Sequence, residues 1–218
     1  MSISEKSVFR RPQIANQAEW ALILLHGVGS TGRDIISLSD HLAENFPTVA
    51  FCAPDGVAPS DTNERGRQWF SIIGVTEENR KGRLLPALSE LNLMIDKEAA
   101  TIGLDRSRVI LLGFSQGTIM ALHLAASGSD IAGVIGLSGR LAGPVLVQEL
   151  WPPIALIHGT QDPIISIDVA RDTATWLHDA GSKATLTEIE GLGHQIDDRA
   201  LSAASDALYS IVTGAITF

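Results

Sequence analysis

The chain has 218 residues, 45% of them hydrophobic and 19% charged, with a net charge of -9. That length and balance suit one folded domain over residues 1–218 with one large core. The negative charge repels a phosphate backbone, so nucleic acid is not an expected partner.

Cys52 is the single cysteine, so no intrachain disulfide can form, and a reducing, cytoplasmic setting is expected. It sits in an apolar run and reads as a buried small hydrophobe. The N-terminal stretch MSISEKSVFRRPQ carries no apolar signal-peptide core, and the run Trp20–Leu25 is too short to span a bilayer. No stable membrane insertion is expected, and the chain is read as a monomer or homodimer.

In chain order, Val8–Arg10 reads as an edge strand and Trp20–Leu25 as the first core strand. Residues 31–45 carry Ile35, Leu38 and Leu42 on one helical face, and 48–53 is the next strand. Residues 54–67 show no periodicity and form a long loop, a common place for function. Leu84, Leu88, Leu91 and Ile95 share a stripe on the following helix, which stops at Gly103. Strands follow at 108–112, 131–137, 154–158 and 183–189, with helices at 115–126, 167–180 and 198–213. Gly128 and Gly181 mark helix ends, and 139–153 is irregular. Short apolar runs alternating with amphipathic helices predict an α/β fold with a mostly parallel central sheet covered on both faces.

The chemistry concentrates where strand 108–112 enters Gly113-Phe114-Ser115-Gln116-Gly117 and a helix begins at once. This is G-x-S-x-G in its strand–turn–helix context, the nucleophile elbow of the α/β-hydrolase fold. The sharp turn needs almost no side chain on either flank, which Gly113 and Gly117 provide. The helix N-terminus beneath Ser115 favours a developing negative charge. A chance glycine-serine turn is the bland alternative.

A serine hydroxyl needs a general base. Of the six histidines, His41, His123 and His178 lie within helical patterns, and His26 and His158 end strands in His-Gly turns as structural hydrogen-bonders. His194 follows the last strand and Gly191-Leu192-Gly193, where it can reach over the sheet's C-terminal edge. The orienting acid is read as Asp162, just past strand 154–158; Asp168, Asp197 and Asp198 are weighed as helix caps. The order Ser115, Asp162, His194 is that of the α/β-hydrolases. The glycine-rich loop Leu24-Leu25-His26-Gly27-Val28-Gly29-Ser30-Thr31-Gly32 lets backbone approach a substrate, so the Val28 and Gln116 amides are the expected oxyanion donors. The same loop lacks a phosphate-binding pattern. No clustered Cys/His spacing points to a metal, and no cofactor is expected.

The segments LLHGVGSTG, APDG, QWFSIIG, GFSQG, IHGTQDPII and GLGHQI, in that order, resemble the carboxylesterase/phospholipase family, which includes the acyl-protein thioesterases and small bacterial carboxylesterases. The resemblance implies a Ser115, Asp162, His194 triad, an oxyanion hole at Val28 and Gln116, and cofactor-free hydrolysis of acyl esters, lysophospholipids or acyl thioesters. The chain departs from the family at Ser30, where Asp is common, and at Thr118, where Gly is common. Apolar residues at Trp69, Phe70, Leu84, Leu85 and Ile164 are expected to line an acyl pocket, the Trp-Phe segment because the family places it near its site; Ile72 and Ile73 read equally as core. An amidase, a lactone hydrolase, a peptidase or a catalytically silent binding module on the same scaffold are the alternatives.

Overall fold

The computed structural model describes residues 8–10 and 18–215. Seven strands form one sheet: β1 (Val8–Arg10), β2 (Trp20–Leu25), β3 (Val49–Pro54), β6 (Val109–Phe114), β7 (Gly133–Leu137), β8 (Ile154–Gly159) and β9 (Thr185–Ile189). Their order is β1-β3-β2-β6-β7-β8-β9, with β1 antiparallel to β3 and every other pairing parallel. A further two-stranded pair joins β4 (Ala58–Pro59) to β5 (Arg67–Gln68) inside the segment read as a structureless loop. The helices are α1 (Gly32–Ile35), α2 (Ser39–Leu42), α3 (Glu77–Ile102), α4 (Gln116–Ala125), α5 (Ile167–Asp179) and α6 (Asp198–Thr213).

Alternation along β2 shows why the sheet needs cover on both sides. Ala21, Ile23 and Leu25 join one core with Leu84, Leu91 and Ile95 of α3, Ile119 and Leu122 of α4, and Leu177 of α5. Leu22 and Leu24 point the other way, into a core with Ile35, Leu42 and, from α6, Ala204, Leu208 and Ile211. Side chains two residues apart share a face of a strand, so an all-apolar strand serves two cores at once. Every residue of α4 is buried, and this helix packs directly beneath the β6 turn.

The single helix expected over 31–45 is broken into α1, a 3-10 turn at Ile36–Leu38, and α2. Ser37 is one cause: its hydroxyl donates to the Asp34 carbonyl at 2.7 Å, taking an acceptor from the helical ladder. The stripe on α3 belongs to a longer helix than it marks. Thr76 and Asn79 form a capping box at its start, and Gly103 (φ 80°) ends it in the left-handed region. On the opposite face of the chain's edge, Arg10 of β1 holds the buried Glu98 of α3 through two guanidinium nitrogens. Cys52 is buried as expected, and burial pushes its thiol up to about 12. No helix among the described residues is long and apolar enough to cross a membrane.

His123 of α4 is buried, and its Nε2 accepts the Ala142 N–H at 2.9 Å. Burial first, then the nearby charges of Lys81 and Arg140, push its pKa from 6.5 down to about 4. The unfolded chain binds a proton here below about pH 6.5 while the folded chain does not, so this contribution is full above 6.5 and is lost as pH falls toward 4. In urea melts, His123→Gln should therefore lose less stability than the parent between pH 7 and pH 4, by up to about 3 kcal/mol.

Candidate active site

The C-terminal ends of the parallel strands carry the site. Ser115 sits between β6 and α4 at φ 52°, ψ -112°, a conformation that side chains rarely adopt. Its neighbours enforce it. A Cβ on Gly117 would strike the Leu25 carbonyl of β2, and one on Gly113 would strike Gly117 and the Thr118 amide. The Ser115 N–H donates to the Leu137 carbonyl at 2.9 Å, tying the turn to β7.

Thr118, where the resemblance leads one to expect glycine, has a place made for it. Its hydroxyl lies 2.7 Å from the Gly113 carbonyl and 2.8 Å from that of Leu137, sharing one proton between them. Its methyl group occupies space that a Cβ on Gly136 or Gly139 would need. Ser30, the other departure, donates to Asp34 at 3.2 Å beside the capping box of α1.

His194 comes from the loop after β9, and Asp162 from the loop after β8. The two loops are fastened together: Gln161 donates to the Leu192 carbonyl at 3.0 Å, and Gly191 donates to the Thr160 hydroxyl at 2.9 Å. The His194 Nδ1 lies 2.7 Å from Asp162 Oδ2, and its Nε2 lies 3.0 Å from Ser115 Oγ. A carboxylate only accepts, so Nδ1 carries the proton, and in the neutral ring Nε2 is left to accept from the serine hydroxyl. Asp162 is buried, and its Oδ1 accepts from the Ile164 and Ile165 amides at 2.8 and 2.9 Å. Of the other acids, Asp197 caps α6 through the Ala200 amide, and Asp168 pairs with Arg171.

Three supports surround this pair, of which the sequence marked only His158, as a structural hydrogen-bonder. Phe114, the variable residue of the elbow, stacks at a tilt against the His194 ring with centroids 5.1 Å apart. His158 donates from Nε2 to the Ile165 carbonyl at 2.8 Å and lies 3.4 Å from Asp162 Oδ2, so it braces the acid's loop. Burial lowers its pKa and keeps it neutral beside the carboxylate. The Gln116 side chain accepts from the Trp69 amide and donates to the Phe70 carbonyl, both at 2.8 Å. The Phe114 and Gln116 contacts follow no sequence spacing, because they join segments far apart in the chain, whereas His158 reaches only four and seven residues on.

Gly27, next to Val28 in the chain, lies against Ser115, where an added Cβ would come within 3.3 Å of the serine Cβ. Gly27 and Val28 share a peptide whose carbonyl accepts from His26 Nδ1 at 2.7 Å, while His26 Nε2 accepts the Gly56 N–H at 2.9 Å. Both nitrogens are used, and burial lowers the His26 pKa, holding the ring in this one neutral tautomer. The Gln116 amide, at the first position of α4, has no partner within the helix. Trp69, Phe70 and Leu84 are buried in the core, whereas Ile164 is 70% exposed beside Asp162. Leu85 is exposed and borders a groove of about 500 Å³ near Leu124 and Ser127, toward the end of α4 remote from Ser115. Among the described residues, no group of three His, Cys, Asp or Glu is placed to hold a metal ion.

A mostly parallel sheet covered on both faces, with a serine elbow at its centre, is the α/β-hydrolase fold. Residues 12–212 match the phospholipase/carboxylesterase family model, and the chain belongs to that family. It is an enzyme of the hydrolase class. Esterase YpfH of Escherichia coli is 35% identical over 195 residues, covering 88% of this chain and 82% of that protein. Acyl-protein thioesterase 1 of Neurospora crassa is 26% identical over 228 residues, covering 95% and 92%. The crystal structure of esterase PE8 superposes with a TM-score of 0.85 at 29% identity, covering 94% of this chain and 98% of that one.

The fit of Thr118 against Gly139 can be checked by a double-mutant cycle. Gly139→Ala should cost roughly 1–3 kcal/mol by overpacking. Adding Thr118→Gly, which removes the Cβ nearest to that position as well as the methyl, should recover part of that loss, measured as a departure from additivity in denaturant melts.

Proposed function

We propose that the chain hydrolyses carboxylic esters or thioesters of apolar acyl chains through a Ser115-His194-Asp162 triad and an acyl-enzyme intermediate. The observation that carries this reading is the unbroken relay from Asp162 Oδ2 through His194 to Ser115 Oγ, at 2.7 and 3.0 Å, on a strained elbow. His194 Nε2 takes the serine proton as Oγ attacks the acyl carbonyl carbon. The carbonyl oxygen becomes the oxyanion, held by the Val28 and Gln116 amides. The intermediate collapses, and imidazolium Nε2–H protonates the departing alcohol or thiol. Water then attacks the acyl-serine with the same base, releasing the acid and restoring the hydroxyl. Asp162 keeps Nδ1 protonated in the resting ring and stabilises the imidazolium.

The acyl chain is assigned to the apolar side chains around this relay. Ile164 is exposed next to the acid, and Ile72 and Ile73 are exposed just beyond Trp69 and Phe70. Trp69, Phe70 and Leu84 are packed in the core on one side of the sheet. The names of the relatives agree with this class of substrate: one is an esterase and one an acyl-protein thioesterase.

Ser115→Ala should keep the fold and lower p-nitrophenyl butyrate turnover by about 10⁴-fold or more, and a fluorophosphonate should label the parent but not the variant. Asp162→Asn should reduce kcat by about 10⁴-fold because the wrong tautomer is favoured. Normal turnover in either variant would refute the triad. Each methylene buried contributes up to about 0.8 kcal/mol, so kcat/KM should rise from acetate through longer p-nitrophenyl esters until the groove is filled. A steady decline from acetate onward would remove the acyl pocket from this reading, and faster cleavage of matched amides would make the enzyme an amidase.

A further inference from the structure

Both arms of the oxyanion hole are fastened to one stretch of chain, residues 56–70. On the Val28 side, the Gly29 N–H donates to the Arg67 carbonyl at 3.0 Å, and the Arg67 N–H donates to the Ser30 carbonyl at 2.8 Å. The Asn63 carboxamide donates to the Gly29 carbonyl at 2.9 Å. Gly66 lies flat against Gly29, and any Cβ there would collide with the Gly29 carbonyl. Gly56 orients His26, whose own carbonyl accepts the Trp69 indole N–H at 3.0 Å. On the other side, the buried Gln116 carboxamide grips the backbone of Trp69 and Phe70 with its donor and its acceptor.

An oxyanion donor works only if its N–H is aimed before the charge develops. A backbone amide cannot be aimed by its own side chain, so the bonds of its neighbouring peptides decide its direction. Here those bonds end on the same short segment, which therefore sets the spacing of the two donors. We propose that Asn63, Gly66 and the Gln116 carboxamide are positioning residues that hold the Val28 and Gln116 amides at one fixed separation through the 56–70 segment. This rests on the serine-hydrolase reading above. The role differs from that of a fold-stabilising loop in one respect: it acts on the charged tetrahedral state and leaves the binding of the neutral ester nearly untouched.

The test uses Gln116→Met, Asn63→Ala and Gly66→Ala, with p-nitrophenyl butyrate as substrate and a trifluoromethyl ketone as the probe that forms an oxyanion on the serine. Displacing preorganised donors by under an ångström costs about 10–100-fold, so Gln116→Met and Gly66→Ala should lose about that much in kcat. Asn63→Ala, with one exposed bond removed, should lose about threefold to tenfold. In each variant the ketone's affinity should fall by the same factor as kcat while KM stays within about twofold, since only the charged state is affected. If Gly66→Ala does not fold, the other two variants carry the test alone. Parental kcat and ketone affinity in Gln116→Met and Asn63→Ala, with Ser115→Ala inactive, would overturn the brace and leave the hydrolase reading intact. A loss that follows the folded fraction and spares ketone affinity per folded molecule would overturn it equally. An active Ser115→Ala would instead refute the underlying reading.

Discussion

The molecule is organised around one improbable backbone conformation. Ser115 has positive φ without being glycine, which costs on the order of 1–3 kcal/mol and persists only where the surroundings over-determine it. Three strands and a helix do so. β2 presses a carbonyl against Gly117, β7 accepts the Ser115 amide, β6 delivers the chain, and α4 begins at once. Two glycines are required because backbone from other segments occupies the place of their side chains. Thr118 adds a hydroxyl whose one proton is shared between carbonyls of β6 and β7.

The loops around that turn are held by buried polar side chains rather than by apolar packing alone. His26, Gln116 and Trp69 bond to backbone of distant segments, and His158 and Asp162 bond to backbone within the turn that follows β8. Leaving such a group unpaired in the interior would cost about 1–3 kcal/mol, so each contact penalises any displacement of the loop it holds. The histidines among them are kept neutral by burial, which lets one ring accept and donate at fixed nitrogens. The apolar cores on the two faces of the sheet supply the rigid base on which these bonds keep their geometry.

Local pattern was enough for much of this. Continuous apolar runs mark the strands because both sheet faces are buried, and β2 and α6 begin and end where the sequence places them. The elbow is legible because Gly113, Ser115 and Gly117 stand at fixed spacing between a strand and a helix. The region after Thr31 was not, because an apolar stripe reports which face is buried and is blind to a serine hydroxyl capturing a carbonyl three residues back.

The sequence by itself thus determined the α/β architecture and marked Ser115 as the candidate nucleophile, since both are written in short-range spacing. It proposed His194 and Asp162 as base and acid from their places just past strand ends, while the different bonds made by Asp162, Asp168 and Asp197 depend on what lies across space from them. Only the tertiary structure decided that Trp69 and Phe70 are buried and gripped by Gln116, that Phe114 backs the imidazole, and that residues 56–70 bond to Gly29, Ser30 and Gln116. Those contacts join residues dozens of positions apart, and their existence depends on how the strands are ordered in the sheet, which no local periodicity encodes.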